Sequence, residues 1–589
     1  MDVEAASAAT PVQVKFTGIT LDVKTGKDQT KRILDDVSGH FGPAESVAVM
    51  GPSGSGKTTL LLCVSGAAAP TSGSVEVNGA PFDAGTMRRV ASFVPQDDLL
   101  TPCLTVEESL REAVLFKTGQ ASDSLECDQK VNELAERFGL VDCLTTPVGR
   151  PGEGKRGASG GQRRRLSVAL ELCGDPSLLF LDEPTSGLDA VATMSLVRSL
   201  QALARRGVCC VAVIHQPSAA AFFAFDRLLL LRAGGSLVYE GPVAPGAQPA
   251  KMLADIGRPV HELANPADAM FDALTEEPEA LTKAAPQAPP LPPPPPPIST
   301  SGPRYALSLP GQIRAHCVRN ARAMVREPIL ARMRIGSAVG VSIVLSILYG
   351  ELDSNFEGIN STISLLLFTM VFLALTSALP VVLSVLPEIH VTQKEVRNNW
   401  YRPTSYTPAK FIVETPLLVI PPLLYLAIVG NVTGLTRGNN GARFIRVYLA
   451  CLATVVCTNS WSFLLSSVAP TMQLAVLSAP GSIMPMMLLS GFFVNQRDMT
   501  WVFRWATYID YLNYVWQALA IAGLQDRTYN APPGAGLDTG EQVLKTRLKL
   551  PDYTGSWKKN YWVNIGILAG FILFFRAAAV IVVARRLSR

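Results

Sequence analysis

The 589-residue sequence is short of charge, because Asp, Glu, Lys and Arg together make up 17% of it while apolar residues make up 48%. Soluble proteins usually carry about 25% charged residues, so these averages argue against an ordinary soluble protein. They also exclude a chain that is disordered throughout. The formal net charge is only +4 over the whole length, and we expect no nucleic-acid partner. A mixture of one soluble and one membrane part explains the averages most simply.

The sequence also lacks the usual cysteine patterns and a leader peptide. Its ten cysteines include no C-x-x-C pair and no Cys/His group with zinc-site spacing. Seven precede a proline-rich segment in what reads as an intracellular region, so we expect no structural disulfide. The amino terminus has neither the basic nor the apolar region of a secretory signal peptide. An internal segment is therefore expected to direct the chain to a membrane.

The part of the chain up to about Leu274 alternates apolar runs with helical stretches. A buried-strand pattern lies at 45–50, and continuous apolar runs lie at 178–181 and 208–214. Such runs between helical segments predict a parallel α/β sheet that is covered on both faces.

A proline-rich segment, 284–302, follows, with six consecutive prolines from Pro292 to Pro297. It predicts a polyproline II segment that extends about 3.1 Å per residue. We favour a semi-rigid linker, and an SH3-type ligand is the alternative. Arginines among apolar residues then predict an amphipathic connecting helix over 303–331, at the membrane surface.

Long runs with little or no charge dominate the remaining residues, 332–589, and predict an all-α membrane domain. Most of them are long enough to cross a hydrocarbon core of about 30 Å, and the first is shorter. The six predicted spans cover about 333–351, 361–386, 409–434, 445–468, 473–494 and 561–584. An outer loop with a short re-entrant helix is expected over 495–560.

Basic residues indicate how the spans are oriented. Arginines before the first span and after the last place both termini in the cytoplasm, which agrees with an even number of spans. One loop disagrees, because Arg437, Arg443 and Arg446 lie where the chain should face outward. Asn360 and Asn431 begin sequons in outward loops, near membrane ends where glycosylation is hindered. The plasma membrane is favoured as the location, with an intracellular membrane as the alternative.

A phosphate loop of the form G-x-x-x-x-G-K-[ST] lies between an apolar strand and a helix, as that motif requires. Its glycines let backbone N–H groups close on phosphates, and the helix N-terminus favours negative charge. Lys57 is expected to reach the β- and γ-phosphates, and Thr58 to bind Mg²⁺. The predicted phosphate-binding residues are Gly51, Pro52, Ser53, Gly54, Ser55, Gly56, Lys57, Thr58 and Thr59.

Two acids directly follow the apolar run at 178–181. The strand is expected to deliver Asp182 to the Mg²⁺ shell. Glu183 would then orient or deprotonate a water for attack on the γ-phosphate.

Between the phosphate loop and the acidic pair, the run Ala158-Ser-Gly-Gly-Gln162 resembles the signature of ABC ATPases. The order of the other pieces agrees with that resemblance: Gln96 looks like the Q-loop glutamine that senses Mg²⁺, 186–189 like the D-loop, and His215 like the switch histidine. In that family, the signature of one subunit caps the ATP held by the phosphate loop of another. The resemblance therefore implies ATP contacts for Ser159, Gly160, Gly161, Gln162 and Asp189.

Further phrases resemble the G (White) subfamily, in which the nucleotide-binding half precedes the membrane half. They are Arg156-Gly-Ala-Ser-Gly-Gly-Gln162, Ile214-His-Gln-Pro-Ser218, Asn265-Pro-Ala-Asp268, Ser490-Gly-Phe-Phe-Val-Asn495 and Phe574-Phe-Arg576. The resemblance implies an ABC nucleotide-binding domain over 1–283, with a core of about 12–245 and an extension to about 275. The membrane half would have the six-helix ABC2-type, or type V exporter, architecture.

Because the chain carries one phosphate loop and one signature, the resemblance implies a half-transporter that must dimerise. A homodimer is favoured because no motif is degenerate, and a heterodimer is possible. The resemblance implies ATP-driven export or leaflet translocation of a lipid, sterol or xenobiotic. An importer, a non-pumping regulator or channel and, less favoured, a soluble ABC ATPase are the alternatives.

The resemblance also places substrates between the second and fifth spans, below a hydrophobic plug that Phe492 and Phe493 match. The facing wall would include Thr376, Val381, Met484 and Met487. Val381 stands where the multidrug member has an aromatic residue, which disfavours flat polyaromatic drugs. Arg576 is assigned a structural or interfacial role.

Overall fold

The computed structural model describes residues 10–24, 30–150, 157–243, 248–259, 265–285, 291–298, 303–437, 441–494, 496, 499–530 and 537–588. These residues form two compact units. The first unit contains the described residues up to Gln312 together with Gln393–Arg402, and the second contains Ile313–Thr392 and Pro403–Ser588. Parts of two quoted phrases, at Arg156 and Asn495, lie outside the described residues.

The first unit is built on two sheets. Its strands are β1 (Val14–Lys24), β2 (Thr30–Phe41), β3 (Ser46–Met50), β4 (Ser72–Val77), β5 (Ala80–Pro81), β6 (Ala91–Val94), β7 (Leu178–Asp182), β8 (Cys209–Val213), β9 (Arg227–Leu231) and β10 (Leu237–Pro242). One sheet has the order β2-β1-β4-β5 and is antiparallel. The other has the order β10-β9-β3-β8-β7-β6, in which only the β10–β9 pair is antiparallel.

The inner strands of the second sheet are buried along their whole length. Every residue of β3, β7 and β8 is buried, which is why these strands read as continuous apolar runs. The observation confirms the predicted parallel α/β sheet. Because the strands are parallel, the carboxyl ends of β3, β7 and β8 lie on one edge, where the predicted phosphate loop, the acidic pair and the switch histidine all follow.

Helices connect and cover these strands. They are α1 (Lys57–Val64), α2 (Ala84–Val90), α3 (Val106–Thr118), α4 (Leu125–Arg137), α5 (Gly160–Leu172), α6 (Ala190–Arg205), α7 (Ala219–Phe222), α8 (Gln248–Asp255), α9 (Pro266–Glu276) and α10 (Pro278–Ala284). Local sequence sets several of their boundaries. Thr105 and Glu108 form a capping box at the start of α3, and Gly119, with φ +78°, ends that helix.

The second unit is helical. It contains most of α11 (Leu309–Arg326), followed by α12 (Ile329–Tyr349), α13 (Phe356–Arg397), α14 (Tyr406–Val432), α15 (Ala442–Val468), α16 (Met472–Leu489), α17 (Trp501–Arg504), α18 (Ala506–Ile509), α19 (Tyr511–Leu524), α20 (Gly540–Gln542) and α21 (Trp557–Ser588). Among the described residues, six helices are long and apolar enough to span a membrane: α12, α13, α14, α15, α16 and α21. This confirms the six predicted spans.

Several boundaries differ from those predicted. The predicted connecting helix, 303–331, contains all of α11 and the start of α12. The predicted fifth span, 473–494, ends as a helix at Leu489 because Gly491 adopts the left-handed conformation, with φ +88°. Phe492 and Phe493 therefore follow the helix. The outer loop contains α17 to α20 and a short π-helix, Val543–Arg547, rather than one short helix.

The predicted second span, 361–386, is part of a 42-residue helix. The end of α13, from Gln393, belongs to the first unit. Within that unit, Lys394 pairs with Glu171 of α5 at 3.4 Å, and Lys117 of α3 pairs with the same carboxylate at 2.8 Å. The Trp400 indole N–H also donates to Glu171. Two ammonium groups and an indole therefore compensate one fully buried carboxylate.

The three arginines that contradicted the charge rule are paired within the second unit. Arg437 forms an ion pair with Glu351, and Arg446 forms one with Asp526. Arg443 donates to the backbone oxygens of Arg437 and Asp526 at 2.5 and 2.7 Å. Their guanidinium groups contact acids and carbonyl oxygens of the second unit. They are therefore not free basic residues of the kind that indicates a cytoplasmic loop.

The proline-rich segment lies against the first unit where it is described. Pro292 and Pro296 accept hydrogen bonds from side chains of that unit, and Ile298 packs against its core. The segment predicted as a semi-rigid linker therefore also contacts the first unit. All ten cysteines are described, and each is a free thiol.

Candidate active site

The phosphate loop lies between β3 and α1. Gly54 and Gly56 have φ values of +79° and +86°, and a Cβ on Gly56 would lie 2.8 Å from the Ile33 carbonyl oxygen. The loop path therefore needs glycine there. The Lys57 ammonium donates to the carbonyl oxygens of Gly51 and Pro52 at 2.8 Å each. Burial lowers the pKa of Lys57, against the opposing effect of Glu183 and Asp182.

Thr58, the second residue of α1, meets the last residue of β7. Its hydroxyl donates to Asp182 Oδ1 at 2.8 Å. Burial raises the pKa of Asp182, and the Thr58 hydrogen bond opposes that rise. Thr58 of the phosphate loop and Asp182, which are 124 positions apart in sequence, thus form one oxygen-rich corner.

Glu183 follows in a left-handed conformation, with φ +44°. This conformation is uncommon for a residue with a side chain and is often found where function fixes the geometry. The Gln96 side-chain amide donates to Glu183 Oε2 at 2.7 Å. One open cleft is lined by Ser53, Glu183, Thr185, Ser186, Gly187, His215 and Gln216. It brings the predicted phosphate loop, acid, D-loop and switch histidine to a single site.

The signature residues begin α5. The Ser159 hydroxyl accepts from the Gln162 N–H at 3.2 Å, and the Gln162 side chain accepts from the Ser159 N–H at 2.8 Å. Ser159 and Gly160 are exposed. Asp189 caps α6 by accepting from the Ala192 N–H at 2.7 Å. Gln162 and Asp189 therefore stabilise helix starts in this structure, in addition to any ATP contact the resemblance implied.

Sequence reasoning missed Arg164, one turn into α5. Its buried guanidinium donates to the carbonyl oxygens of Pro95, Gln96, Asp182 and Pro184 at 2.6, 3.0, 2.6 and 3.2 Å. It also donates to Asp98 at 3.2 Å. One side chain thus fixes the segment around Gln96 and the end of β7. Arg164 lies between two other arginines, and nothing in the sequence alone shows that this middle residue is buried.

The Asn265-Pro-Ala-Asp segment forms the start of α9. Asn265 caps α9, and its side-chain amide donates to the Pro217 carbonyl oxygen at 2.8 Å. Phe271 of α9 lies with its ring centre 6.4 Å from that of His215. The helix that extends the nucleotide-binding core therefore supports the loop carrying His215.

Known families match both parts of the chain. The ABC transporter family profile matches residues 34–186, and two ABC-2 type transporter profiles match residues 311–523 and 215–290. ABC transporter G family member 1 of Arabidopsis thaliana is 30% identical, over 86% of this chain and 74% of that protein. Protein white of Drosophila melanogaster is 30% identical, over 83% and 74%. The chain belongs to the ABC transporter G family.

Another relative, ABC transporter G family member 6 of A. thaliana, is 29% identical over 90% of this chain and 80% of that protein. As a member of the G family, the chain is a multi-pass membrane transporter whose ATP-binding domain precedes its membrane domain. This confirms the predicted family and fold class.

The oxygen-rich corner of this G-family protein suits a nucleotide-bound Mg²⁺. Thr58 supplies a hydroxyl, Asp182 a carboxylate and Gln96 a side-chain amide, which are ligands that Mg²⁺ accepts together with phosphate oxygens. The Thr58–Asp182 distance of 2.8 Å already places two of these groups together. The residues present therefore fit the metal.

The residues predicted along the substrate path differ in exposure. Val381 is fully buried, and Thr376 is half-buried, with its hydroxyl bonded to the Phe372 carbonyl oxygen. Met484 and Phe493 are exposed, and Phe492 packs edge-on against Trp516. Met487 is half-buried against the core of the second unit.

Arg576 of α21 is satisfied inside the second unit. Its guanidinium lies 4.6 Å from the ring centre of Phe411 and donates to the Ser460 hydroxyl at 3.3 Å. A cation–π contact and a hydrogen bond compensate the charge within a membrane helix. These contacts are consistent with the structural role assigned to Arg576 from the sequence.

Proposed function

We propose that this G-family chain is a half-transporter that uses ATP hydrolysis to export a hydrophobic or amphipathic substrate, or to move it between leaflets. The observation that carries the proposal is the cleft that joins Ser53, Glu183, Ser186 and His215. This arrangement supports hydrolysis at a single site formed by the ends of buried strands.

The phosphate loop is proposed to hold ATP. Its backbone N–H groups and the start of α1 would bind the phosphates, and Lys57 would exchange its bonds to Gly51 and Pro52 for bonds to the β- and γ-phosphates. Thr58, Asp182 and Gln96 would hold Mg²⁺, which supplies positive charge against the phosphate oxygens. Asp182 must be ionised for that role, so metal binding would oppose the effect of burial on its pKa.

Glu183 is proposed as the general base. It lies beside the cleft, and its bond to Gln96 restrains its carboxylate. A carboxylate there can orient a water and accept its proton as that water attacks the γ-phosphate. His215, on the same cleft, would stabilise the γ-phosphate from the other side.

A dimer is proposed because the signature lies at the exposed start of α5, where Ser159 and Gly160 are accessible to a second chain. Ser159 and the N–H groups of Gly160 and Gly161 would bind the γ-phosphate held by a partner subunit. A homodimer is favoured because both parts of the composite site are intact in this sequence. Each of its two sites would take one phosphate loop and one signature.

The substrate class is proposed from the membrane part. Met484 and Phe493 expose flexible and aromatic apolar side chains near the end of α16, which suits lipids, sterols or hydrophobic xenobiotics. We propose that both termini lie in the cytoplasm. The ion pairs of Arg437 and Arg446 with acids support this orientation, because they account for two charges of the loop that opposed it. The plasma membrane is the favoured location.

The test is purification of the full chain in detergent, followed by reconstitution in liposomes. Vanadate-sensitive ATPase activity, stimulated by one class among lipids, sterols and drugs and lost in Lys57→Ala, is expected. Export or leaflet translocation of the stimulating compound should require ATP. Transport that continues in Lys57→Ala would contradict ATP-driven pumping.

A further inference from the structure

The turn between β4 and β5 carries a buried carboxamide. Asn78 and Gly79 form a two-residue turn between the paired residues Val77 and Ala80, with φ values of +49° and +75°. Asn-Gly is the pair this turn geometry favours. Asn78 is only 5% exposed and Gln13 only 3%, so their side-chain donors need partners inside the protein.

Gln13 and Asn78 hold each other in place. The Gln13 N–H donates to Asn78 Oδ1 at 2.7 Å, and the Asn78 N–H donates to the Gln13 carbonyl oxygen at 2.9 Å. These bonds leave both side-chain NH₂ groups directed at other partners. Asn78 Nδ2 donates to Pro11 O at 3.1 Å and to Pro296 O at 2.9 Å, and Gln13 Nε2 donates to Pro292 O at 3.1 Å.

The acceptors are the part of a polyproline segment that can be recognised by hydrogen bonds. Proline has no N–H, and a polyproline II helix forms no internal hydrogen bonds, so its carbonyl oxygens remain available. Pro292 and Pro296 are about 12 Å apart along such a helix. Between them, Pro294 lies against Gly79, where an added Cβ would be 3.4 Å from Pro294 Cγ. This is an ordinary van der Waals distance, so Pro294 packs directly on the turn.

The contact continues beyond the two hydrogen bonds. Pro295 is half-buried, although its neighbours are exposed, and Ile298 packs against the core of the first unit. The eight-residue segment 291–298 thus makes three kinds of contact with the first unit. Two of its carbonyl oxygens accept hydrogen bonds, one proline packs against Gly79, and Ile298 packs against the core. A spacer that only separated two domains would need none of them.

We propose that Gln13, Asn78 and Gly79 form a polyproline-binding site of the nucleotide-binding domain, and that its ligand is the segment 291–298 of the same chain. The segment is then a strap on that domain. Residues 291–298 would then be fixed to that domain instead of serving as a free spacer between the two domains.

A disulfide test follows from the geometry. An ideal Cβ on Gly79 lies 3.5 Å from Pro294 Cβ, which is within the range for a disulfide. The full chain in detergent would carry Gly79→Cys with Pro294→Cys, and bond formation under a mild oxidant would be followed by mass spectrometry. The matched control is Gly79→Cys with Pro297→Cys, about 9 Å further along the helix. Any strain from cysteine at position 79 is common to both.

We expect the first pair to close at least tenfold faster than the control pair. Asn78→Asp and Gln13→Glu preserve shape but remove the donors to Pro296 and Pro292, so each should slow closure several-fold. Equal rates for the two cysteine pairs would overturn the proposal. So would closure that neither carboxylate variant slows.

A second measurement leaves the turn unaltered. The six residues Pro292–Pro297 would be replaced by glycine and serine, and hydrogen exchange would be measured in peptides that cover 11–14 and 76–80. Loss of the strap should accelerate exchange there several-fold, while peptides from β7 serve as an unaffected reference. Unchanged exchange in both peptides would contradict a bound strap.

Discussion

The Gln96 side-chain amide donates a 2.7 Å hydrogen bond to the Glu183 carboxylate, although the two residues are 87 positions apart. The bond joins the residue proposed to sense Mg²⁺ to the residue proposed to activate water. Because the same Gln96 side chain would also bind the metal through its oxygen, metal binding and the orientation of Glu183 would be coupled. We therefore expect hydrolysis to require a metal–nucleotide complex.

Replacing Glu183 with Gln should remove the general base and retain the shape of the cleft. We expect ATP turnover to fall by roughly 100- to 10,000-fold, which is the range typical of general-base catalysis. Binding of a fluorescent ATP analogue should remain close to wild type. Lys57→Ala is the contrasting variant, because it should lose nucleotide affinity as well. Full ATPase activity in Glu183→Gln would show that the base lies elsewhere.

Thr58→Val tests the metal site, since it removes the hydroxyl that meets Asp182 and keeps the side-chain volume. The Mg²⁺ concentration that gives half-maximal ATPase activity should rise about tenfold or more, because Thr58→Val removes one oxygen ligand together with a hydrogen bond to a charged group, which alone is worth about 1.5–3 kcal/mol. Thr58→Ser retains the hydroxyl and should behave like wild type. An unchanged Mg²⁺ dependence in Thr58→Val would exclude Thr58 as a ligand.

The sequence was most informative where chemistry depends on local spacing. The phosphate loop, Asp182 and His215 all follow buried strands, so their meeting at one sheet edge could be foreseen. Arg164 could not be, because its partners are backbone carbonyls of segments distant in sequence, and a run of three arginines looks like a solvated surface. The contacts of Pro292 and Pro296 were equally hidden, since they depend on two buried carboxamides. The length of α13 was underestimated because the predicted span was ended at its first charged residues, whereas a helix can continue through charged residues.

Arg164→Lys tests whether the hydrogen bonds of the Arg164 guanidinium, and not only its positive charge, hold the surrounding segments in position. Lysine keeps the charge but has no planar fork, so it cannot satisfy carbonyl groups of Pro95, Gln96, Asp182 and Pro184 together. Buried acceptors left without donors cost about 1–3 kcal/mol each, so we expect a clearly lower unfolding temperature and reduced ATPase activity. Arg165→Lys, one residue further, is the control, because among the described residues its guanidinium has one hydrogen bond, an exposed one to the Gly139 carbonyl oxygen at 3.4 Å. Equal stability of the two variants would contradict the positioning role.

The buried cluster around Glu171 predicts a specific pH dependence. Burial alone would raise the pKa of this carboxyl, but Lys117 and Lys394 outweigh it and lower the pKa below its usual value of 4.5. A lowered pKa in the folded state means that ionised Glu171 stabilises the fold above pH 4.5, and that this contribution declines as pH falls through the folded-state value. Glu171→Gln leaves two buried ammonium groups uncompensated, so it should be destabilised by about 3–5 kcal/mol at pH 7.

Unfolding of wild type and Glu171→Gln should therefore be compared from pH 7 to about pH 3.5. The difference in unfolding free energy should be constant down to about pH 4.5 and then shrink by up to about 1.4 kcal/mol per pH unit, because protonated Glu171 resembles glutamine. Glu133→Gln is the control, since that carboxylate is 46% exposed in its ion pairs and its removal should matter little at any pH. A difference that grows as pH falls would mean that Glu171 is protonated in the folded protein, and the paired-carboxylate explanation would be wrong.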